Sequence, residues 1–141
     1  MSQKLKITIK NLQKKIPVNP TRIKKAIHNA LDREGAKLSG EITVCFITDK
    51  EIEKLNAKYL RHRFPTDVIS FNISDDPKNL LADIAVSADT AVRNAKIYKT
   101  TPERELSLYV IHAVLHLLGY DDQTLKQIAL MRKKESEYAH P

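Results

Sequence analysis

Three side chains suited to holding a divalent metal ion fall close together in the chain: His112, His116 and Asp122. Imidazole nitrogen and carboxylate oxygen are both good zinc ligands, and a catalytic zinc site uses three protein ligands and leaves a fourth position for water. Residues four apart on a helix project from one face with β-carbons roughly 5–6 Å apart, so His112 and His116 can share one ion. Gly119 can take the left-handed conformation that ends a helix and reverses the chain. That reversal can return the carboxylate of Asp122 to the same point, with Asp121 as the rival third ligand. The blander alternatives are two hydrogen-bonded histidines and an Asp122 that only caps the next helix. Against them stands the segment Leu108–Leu118, apolar on nearly every face, where unpaired imidazoles are costly. The pattern predicts one divalent ion per chain, zinc in the first instance and another divalent metal in the second. Its bound water, with a pKa lowered to about 7, would serve hydrolysis.

The spacing of this segment also resembles the metzincin protease signature, His-Glu-x-x-His-x-x-Gly-x-x-His. Here Ala113 occupies the position of the glutamate that acts as general base on peptides. The metal geometry survives and the peptidase machinery does not. A second constellation runs from Leu55 through Tyr59, Arg61, His62, Arg63, Phe64 and Asp67 to Phe71. Arginines make bidentate contacts to phosphate and offset the charge that builds up when a phosphodiester is attacked. Tyr59 and Phe64 can stack on unpaired bases. The expected catalytic set is therefore Arg61, Arg63 and His116.

These side chains need a scaffold, and the hydrophobic pattern supplies one. Leu5-Lys-Ile-Thr-Ile-Lys alternates as a half-buried strand does. Ile23, Ala26, Ile27, Ala30 and Leu31 recur at helical spacing between Thr21 and about Glu34, with Asn19 or Thr21 as cap. Ile42–Ile47 reads as a buried strand, and Thr48-Asp49 caps a short helix carrying Ile52 and Leu55. A loop follows Tyr59. Strands then come at Asp67–Phe71 and Leu80–Val86, separated by a turn at Asp75–Asn79. The remainder is helical: Ala88 to Tyr98, Pro102 to about Leu118, and Asp122 to about Tyr138. This order predicts an α+β fold, one domain over residues 1–141, with a mixed sheet of about four strands packed by helices. The metal site falls at the end of a helix in the C-terminal half.

The net charge of +7 is unevenly divided. Residues 1–37 hold ten Lys or Arg against two acids, giving +8, and residues 38–141 hold fourteen against fifteen, giving −1. A positive field confined to one region favours a polyanion, nucleic acid being the commonest inside cells. Lys24 and Lys25, with Tyr59, Arg61 and Arg63, are the expected nucleic-acid contacts. Cys45 is the only cysteine, so no internal disulfide forms. It lies in an apolar strand, where a small buried hydrophobe is expected rather than a reactive thiol. No stretch is apolar for long enough to cross a membrane, and the N-terminus lacks the apolar core of a secretory signal. The chain reads as cytoplasmic. Nothing in it fixes an oligomeric state.

At three segments the sequence resembles the YbeY family of bacterial metal-dependent endoribonucleases. His112-Ala-Val-Leu-His-Leu-Leu-Gly-Tyr-Asp-Asp122 is similar to that family's metal segment. Leu55-Asn-x-x-Tyr59 with Pro65-Thr-Asp-Val-Ile-Ser-Phe71 matches a second hallmark, and Leu81-Ala-Asp-Ile-Ala-Val-Ser87 a third. The resemblance implies a cytoplasmic enzyme acting on single-stranded RNA, in 3′-end maturation of small-subunit ribosomal RNA and in ribosome quality control. It also implies zinc held by the side chains at 112, 116 and 122. Three positions depart from the pattern. Asp122 stands where histidine is usual and Ala113 where glycine is usual. The family's arginine after the tyrosine falls on Leu60, so Arg61 or Arg63 takes its role, or the role is absent. A non-catalytic, metal-stabilised ribosome-assembly factor is the alternative function, with a metalloprotease behind it.

Overall fold

The structure is a computed structural model that describes residues 5–60, 67–74, 76 and 79–139, apart from the side chains of Tyr59 and Leu60. Its first strand, β1 (Leu5–Asn11), crosses over through helix α1 (Pro20–Arg33) to β2 (Ser39–Ile47). A short helix α2 (Asp49–Leu55) continues into a π-helical turn, Asn56–Leu60. Strands β3 (Val68–Asn72) and β4 (Asn79–Ser87) follow, then α3 (Ala88–Tyr98), α4 (Pro102–Leu117) and α5 (Leu125–Tyr138). The sheet order is β1-β2-β4-β3. β1 and β4 both run parallel to β2, while β3 runs antiparallel to β4. The expected α+β architecture with a four-stranded mixed sheet is therefore present.

One sheet face carries Leu5, Ile7, Ile42, Val44, Phe46, Leu80, Ala82, Ile84 and Val86, all buried against the helices in one cluster. Gly40 permits the close pairing of β2 with β4. Its φ is +114°, and a β-carbon there would lie 1.9 Å from the carbonyl oxygen of Leu80. The other sheet face is covered in part by α2, with Ile47, Ile52, Ile69 and Ala85 forming a smaller cluster. Cys45 lies beside that cluster, partly buried, and burial pushes its thiol pKa up. That suits a space-filling residue better than a nucleophile.

The helix α4 is the central pillar. Leu106, Val110, Ala113 and Val114 pack it on the sheet, while Ile111 and Leu115 join it to Ala26 and Ala30 of α1 and Met131 of α5. Pro102 sits in its first turn, the hydroxyl of Thr101 accepts the Arg104 amide, and Glu103 and Glu105 complement its dipole. Glu105 is buried but satisfied, accepting from the hydroxyls of Thr100 (2.8 Å) and Tyr109 (3.2 Å). A helix buried on so many sides holds its last turn in a fixed place, and that turn carries the histidines.

One local expectation needs correction. The final helix begins at Leu125 rather than Asp122, because Thr124 caps it in a capping box closed by Gln127. Of the two caps expected for α1, Asn19 is the one used, accepting the Arg22 amide. After α2 the chain winds one π-helical turn, Asn56–Leu60, and the loop expected at residues 61–65 lies outside the described residues. Among the described residues no helix is long and apolar enough to cross a membrane.

Candidate metal centre

His112 and His116 occupy the last two turns of α4, on the one face its packing leaves partly open, with side chains 27% and 31% exposed. Gly119 has a φ of +102°, and the amides of Gly119 and Tyr120 return to the carbonyls of His116 and Leu115. The chain therefore reverses tightly, as the glycine predicts. Because Thr124 supplies the cap of α5, Asp122 is released from capping and swings back toward α4.

The three ligand atoms form a compact triangle. Nε2 of His112 and Nε2 of His116 are 3.1 Å apart, and Oδ2 of Asp122 lies 3.7 Å and 3.5 Å from them respectively. A tetrahedral zinc ion with bonds of about 2.0–2.1 Å needs ligand atoms about 3.3 Å apart. The donor set and its spacing thus fit such an ion without rearrangement. Asp121, the rival ligand, uses Oδ1 to accept the backbone amide of Asp122 at 2.8 Å. It braces the turn, and the residue brought to the histidines is Asp122.

What aims the two imidazoles is the occupation of their other nitrogens. His112 Nδ1 lies 2.7 Å from Oε2 of Glu135 on α5, and His116 Nδ1 lies 3.0 Å from the carbonyl oxygen of Tyr120. Both partners are acceptors, so each Nδ1 carries a proton and each Nε2 presents a lone pair toward the other and toward Asp122. Burial pulls the His112 pKa down, but the bond and charge of Glu135, with Asp67 and Asp122 behind it, leave the pKa raised overall.

Tyr120 is itself anchored. The Glu34 carboxylate, just past the end of α1, accepts from the hydroxyls of Tyr120 and Tyr138 and from Lys134 Nζ at 2.7 Å. Burial alone would raise the Glu34 pKa, but these donors outweigh it and bring it down to about 2. The quartet ties α1, the turn after α4, and α5 into one bracket behind the candidate metal ligands.

The structure does not bring every expected residue here. Lys24 and Lys25 are exposed near the start of α1, the end remote from Glu34. Arg61, His62, Arg63 and Phe64 lie outside the described residues, and at Tyr59 only the backbone is described. Ala113 is 1% exposed within the main core cluster. A glutamate at that position would face the core, so the peptidase arrangement is foreign to this fold. Sequence reasoning missed Glu135, which no local spacing links to His112. It also quoted Asp67 without a role, although its charge acts on His112.

A helix-borne histidine pair, an aspartate from the following turn and an open fourth side are the makings of a metallohydrolase centre on an α+β scaffold. The family model described as Endoribonuclease YbeY matches residues 8–141, and the chain belongs to that family. It is 41% identical to the Endoribonuclease YbeY of Amoebophilus asiaticus over 130 residues, covering 92% of this chain and 87% of the relative. It is 35% identical to the protein of that name from Syntrophus aciditrophicus, covering 93% and 86% of the two chains. The relative from Chloroherpeton thalassium is 36% identical, with coverage of 94% and 91%. The fold is also that of TM1509 from Thermotoga maritima, solved in solution, with a TM-score of 0.61 and 24% identity over 96% of this chain and 86% of that one.

Two predictions follow from the geometry. Glu135→Gln keeps the shape of the side chain and removes its charge. Metal affinity, read by chelator competition with zinc, should fall 10- to 100-fold; an unchanged affinity would contradict the role given to Glu135. The second concerns acid stability. A carboxyl whose folded pKa of about 2 lies below its ordinary 4.5 contributes stability that is complete above pH 4.5 and is lost as the pH falls toward 2. In metal-free protein, Glu34→Gln should lower stability by on the order of 2 kcal/mol at neutral pH. The difference from wild type should shrink across that acid window, as urea unfolding at fixed pH will read.

Proposed function

We propose that the protein is a zinc-dependent endoribonuclease that hydrolyses phosphodiesters in single-stranded RNA. His112, His116 and Asp122 hold one ion per chain. The observation that carries this reading is the triangle of three ligand atoms 3.1–3.7 Å apart, with both imidazole Nδ1 atoms already engaged. The names borne by its relatives supply the substrate class. A bound zinc ion supplies a Lewis acid and a coordinated water that ionises near neutral pH.

The chain's own residues prepare that chemistry. Glu135 fixes the tautomer of His112 and adds negative charge behind it, which strengthens the imidazole as a ligand. The Tyr120 carbonyl does the same for His116 without a charge. Asp122 adds one negative charge, so the ligand set partly neutralises a divalent ion and leaves net positive charge for a phosphoryl oxygen. Arg61 or Arg63 offsets the charge that accumulates on the phosphate under attack. Ala113 leaves the site without the glutamate base that peptide hydrolysis uses, which is consistent with a nucleic acid substrate. Lys24 and Lys25 extend the positive field along the first helix. In the cell we place the protein in the cytoplasm, acting on ribosomal RNA of the small subunit at its 3′ end and in ribosome quality control.

The test is cleavage of a single-stranded RNA by wild type and His116→Ala, with the metal content of each determined. Wild type should cut and carry about one zinc per chain, and the variant should do neither. Cleavage at the wild-type rate by a metal-free His116→Ala chain would remove the reading.

A further inference from the structure

Both imidazoles of the candidate centre trace back to one helix. Along its length α5 buries only Met131 and Tyr138. The face that carries them also carries Lys134 and Glu135, at the helical spacing that brings side chains together. Glu135 reaches His112 Nδ1 directly, at 2.7 Å. Lys134 and Tyr138 reach His116 by a longer route. Lys134 Nζ donates to Oε2 of Glu34 at 2.7 Å, and the Tyr138 hydroxyl donates to the same oxygen. Oε1 of Glu34 accepts from the Tyr120 hydroxyl. The carbonyl of Tyr120 in turn accepts from His116 Nδ1 at 3.0 Å.

A separate observation gives that longer route its weight. The amides of Gly119 and Tyr120 bond back to α4 at 3.0 Å each, which fixes how the chain leaves the helix. The carbonyl of Tyr120 belongs to the next peptide unit, and neither bond sets its direction. On its outer side the turn borders a recess of about 310 Å³, lined by Glu34, Ala36, Leu118, Gly119 and Tyr120. A β-carbon placed on Gly119 would meet no heavy atom within 4 Å. Packing therefore does not brace the turn from that side. The tie at the rim of the recess is the Tyr120 hydroxyl on Glu34, with the Lys134 ammonium 5.3 Å from the centre of the same ring.

We propose that Glu34 is a positioning residue of the metal centre, and that Tyr138 and Lys134 act through it to set how tightly the ion is held. The proposal rests on the metal site of the endoribonuclease reading above. An imidazole binds an ion best when its Nε2 lone pair points at it, and the acceptor on Nδ1 sets that direction. With the Glu34 tie cut, the Tyr120 carbonyl samples more directions and His116 loses its alignment for part of the time. The docking of one helix thus governs both imidazoles, His112 through a charged partner and His116 through a steered carbonyl. The coupling is reciprocal by linkage, so an ion on the two histidines also steadies α5 against α1.

The experiment measures zinc affinity by chelator competition for wild type, Tyr120→Phe, Tyr138→Phe and the double variant. Each substitution removes one hydroxyl and keeps the ring, and neither residue is a candidate ligand. Tyr120→Phe should weaken zinc binding about fivefold and Tyr138→Phe about threefold. In the Tyr120→Phe background, Tyr138→Phe should have no further effect, because the route to His116 is already cut. Tyr109→Phe serves as the control. It removes a hydroxyl that bonds Asn94 and Glu105 elsewhere on α4, and should lower the melting temperature of the metal-free chain without altering zinc affinity. A Tyr138→Phe chain with wild-type affinity, losses that simply add in the double variant, or the same loss in Tyr109→Phe overturns the coupling and leaves the metal site standing. A wild-type chain that binds no zinc overturns both. A chain that shows the coupling and never cuts RNA overturns the proposed function alone.

Discussion

Two imidazoles on neighbouring turns of a helix share an ion only when something holds their second nitrogens. In this protein that task falls to Glu135 and to the carbonyl of Tyr120, at 2.7 Å and 3.0 Å. Each acceptor fixes a proton on Nδ1 and so commits Nε2 to the metal side. The holders come from outside α4, which makes the centre a property of the tertiary structure rather than of one helix. Glu135 is delivered by α5, and α5 is held by Met131 and Tyr138 in the cluster it shares with α1 and α4. Tyr120 is delivered by the turn at Gly119 and kept there by Glu34. Loosening any of these contacts would free an imidazole to rotate while the helix stayed intact.

The same constraint explains why the turn after α4 has its particular sequence. Gly119 adopts a φ that strains most side chains, and the reversal it allows is tight enough for Asp122 to reach 3.5 Å from His116 Nε2. Asp121 spends its carboxylate on the Asp122 amide, which stiffens the approach. Thr124 takes over the capping of α5 two residues later. Three neighbouring polar residues that look interchangeable in sequence thus have three separate tasks: bracing, metal approach and capping.

Much of this was legible in the sequence because it is local. The i, i+4 histidines, the glycine three residues on and the acid six residues on depend only on helical geometry and one turn. The elements followed from periodicity, and so did the burial of Ile23, Ala26, Ile27, Ala30 and Leu31 on α1. The strand order was not legible. Pairing β1 and β4 in parallel on either side of β2 is settled by helices packing across the sheet, and alternation within a strand carries no record of its neighbours. Glu135 escaped for the same reason: it sits 23 residues from His112 in an ordinary polar stretch of an amphipathic helix. The start of α5 was misplaced because Asp122 and Thr124 are both good caps, and the reciprocal bond from Gln127 decides between them.

The central claim is that one ion is held by two imidazoles and one carboxylate with a fourth position left to water. X-ray absorption at the zinc edge of the reconstituted chain tests it most directly. The spectrum should show two imidazole rings and two oxygen ligands at about 2.0–2.1 Å, and His112→Ala should lose one ring together with most of the bound zinc. A shell without two imidazoles, or full zinc retention with an unaltered shell in His112→Ala, would contradict it.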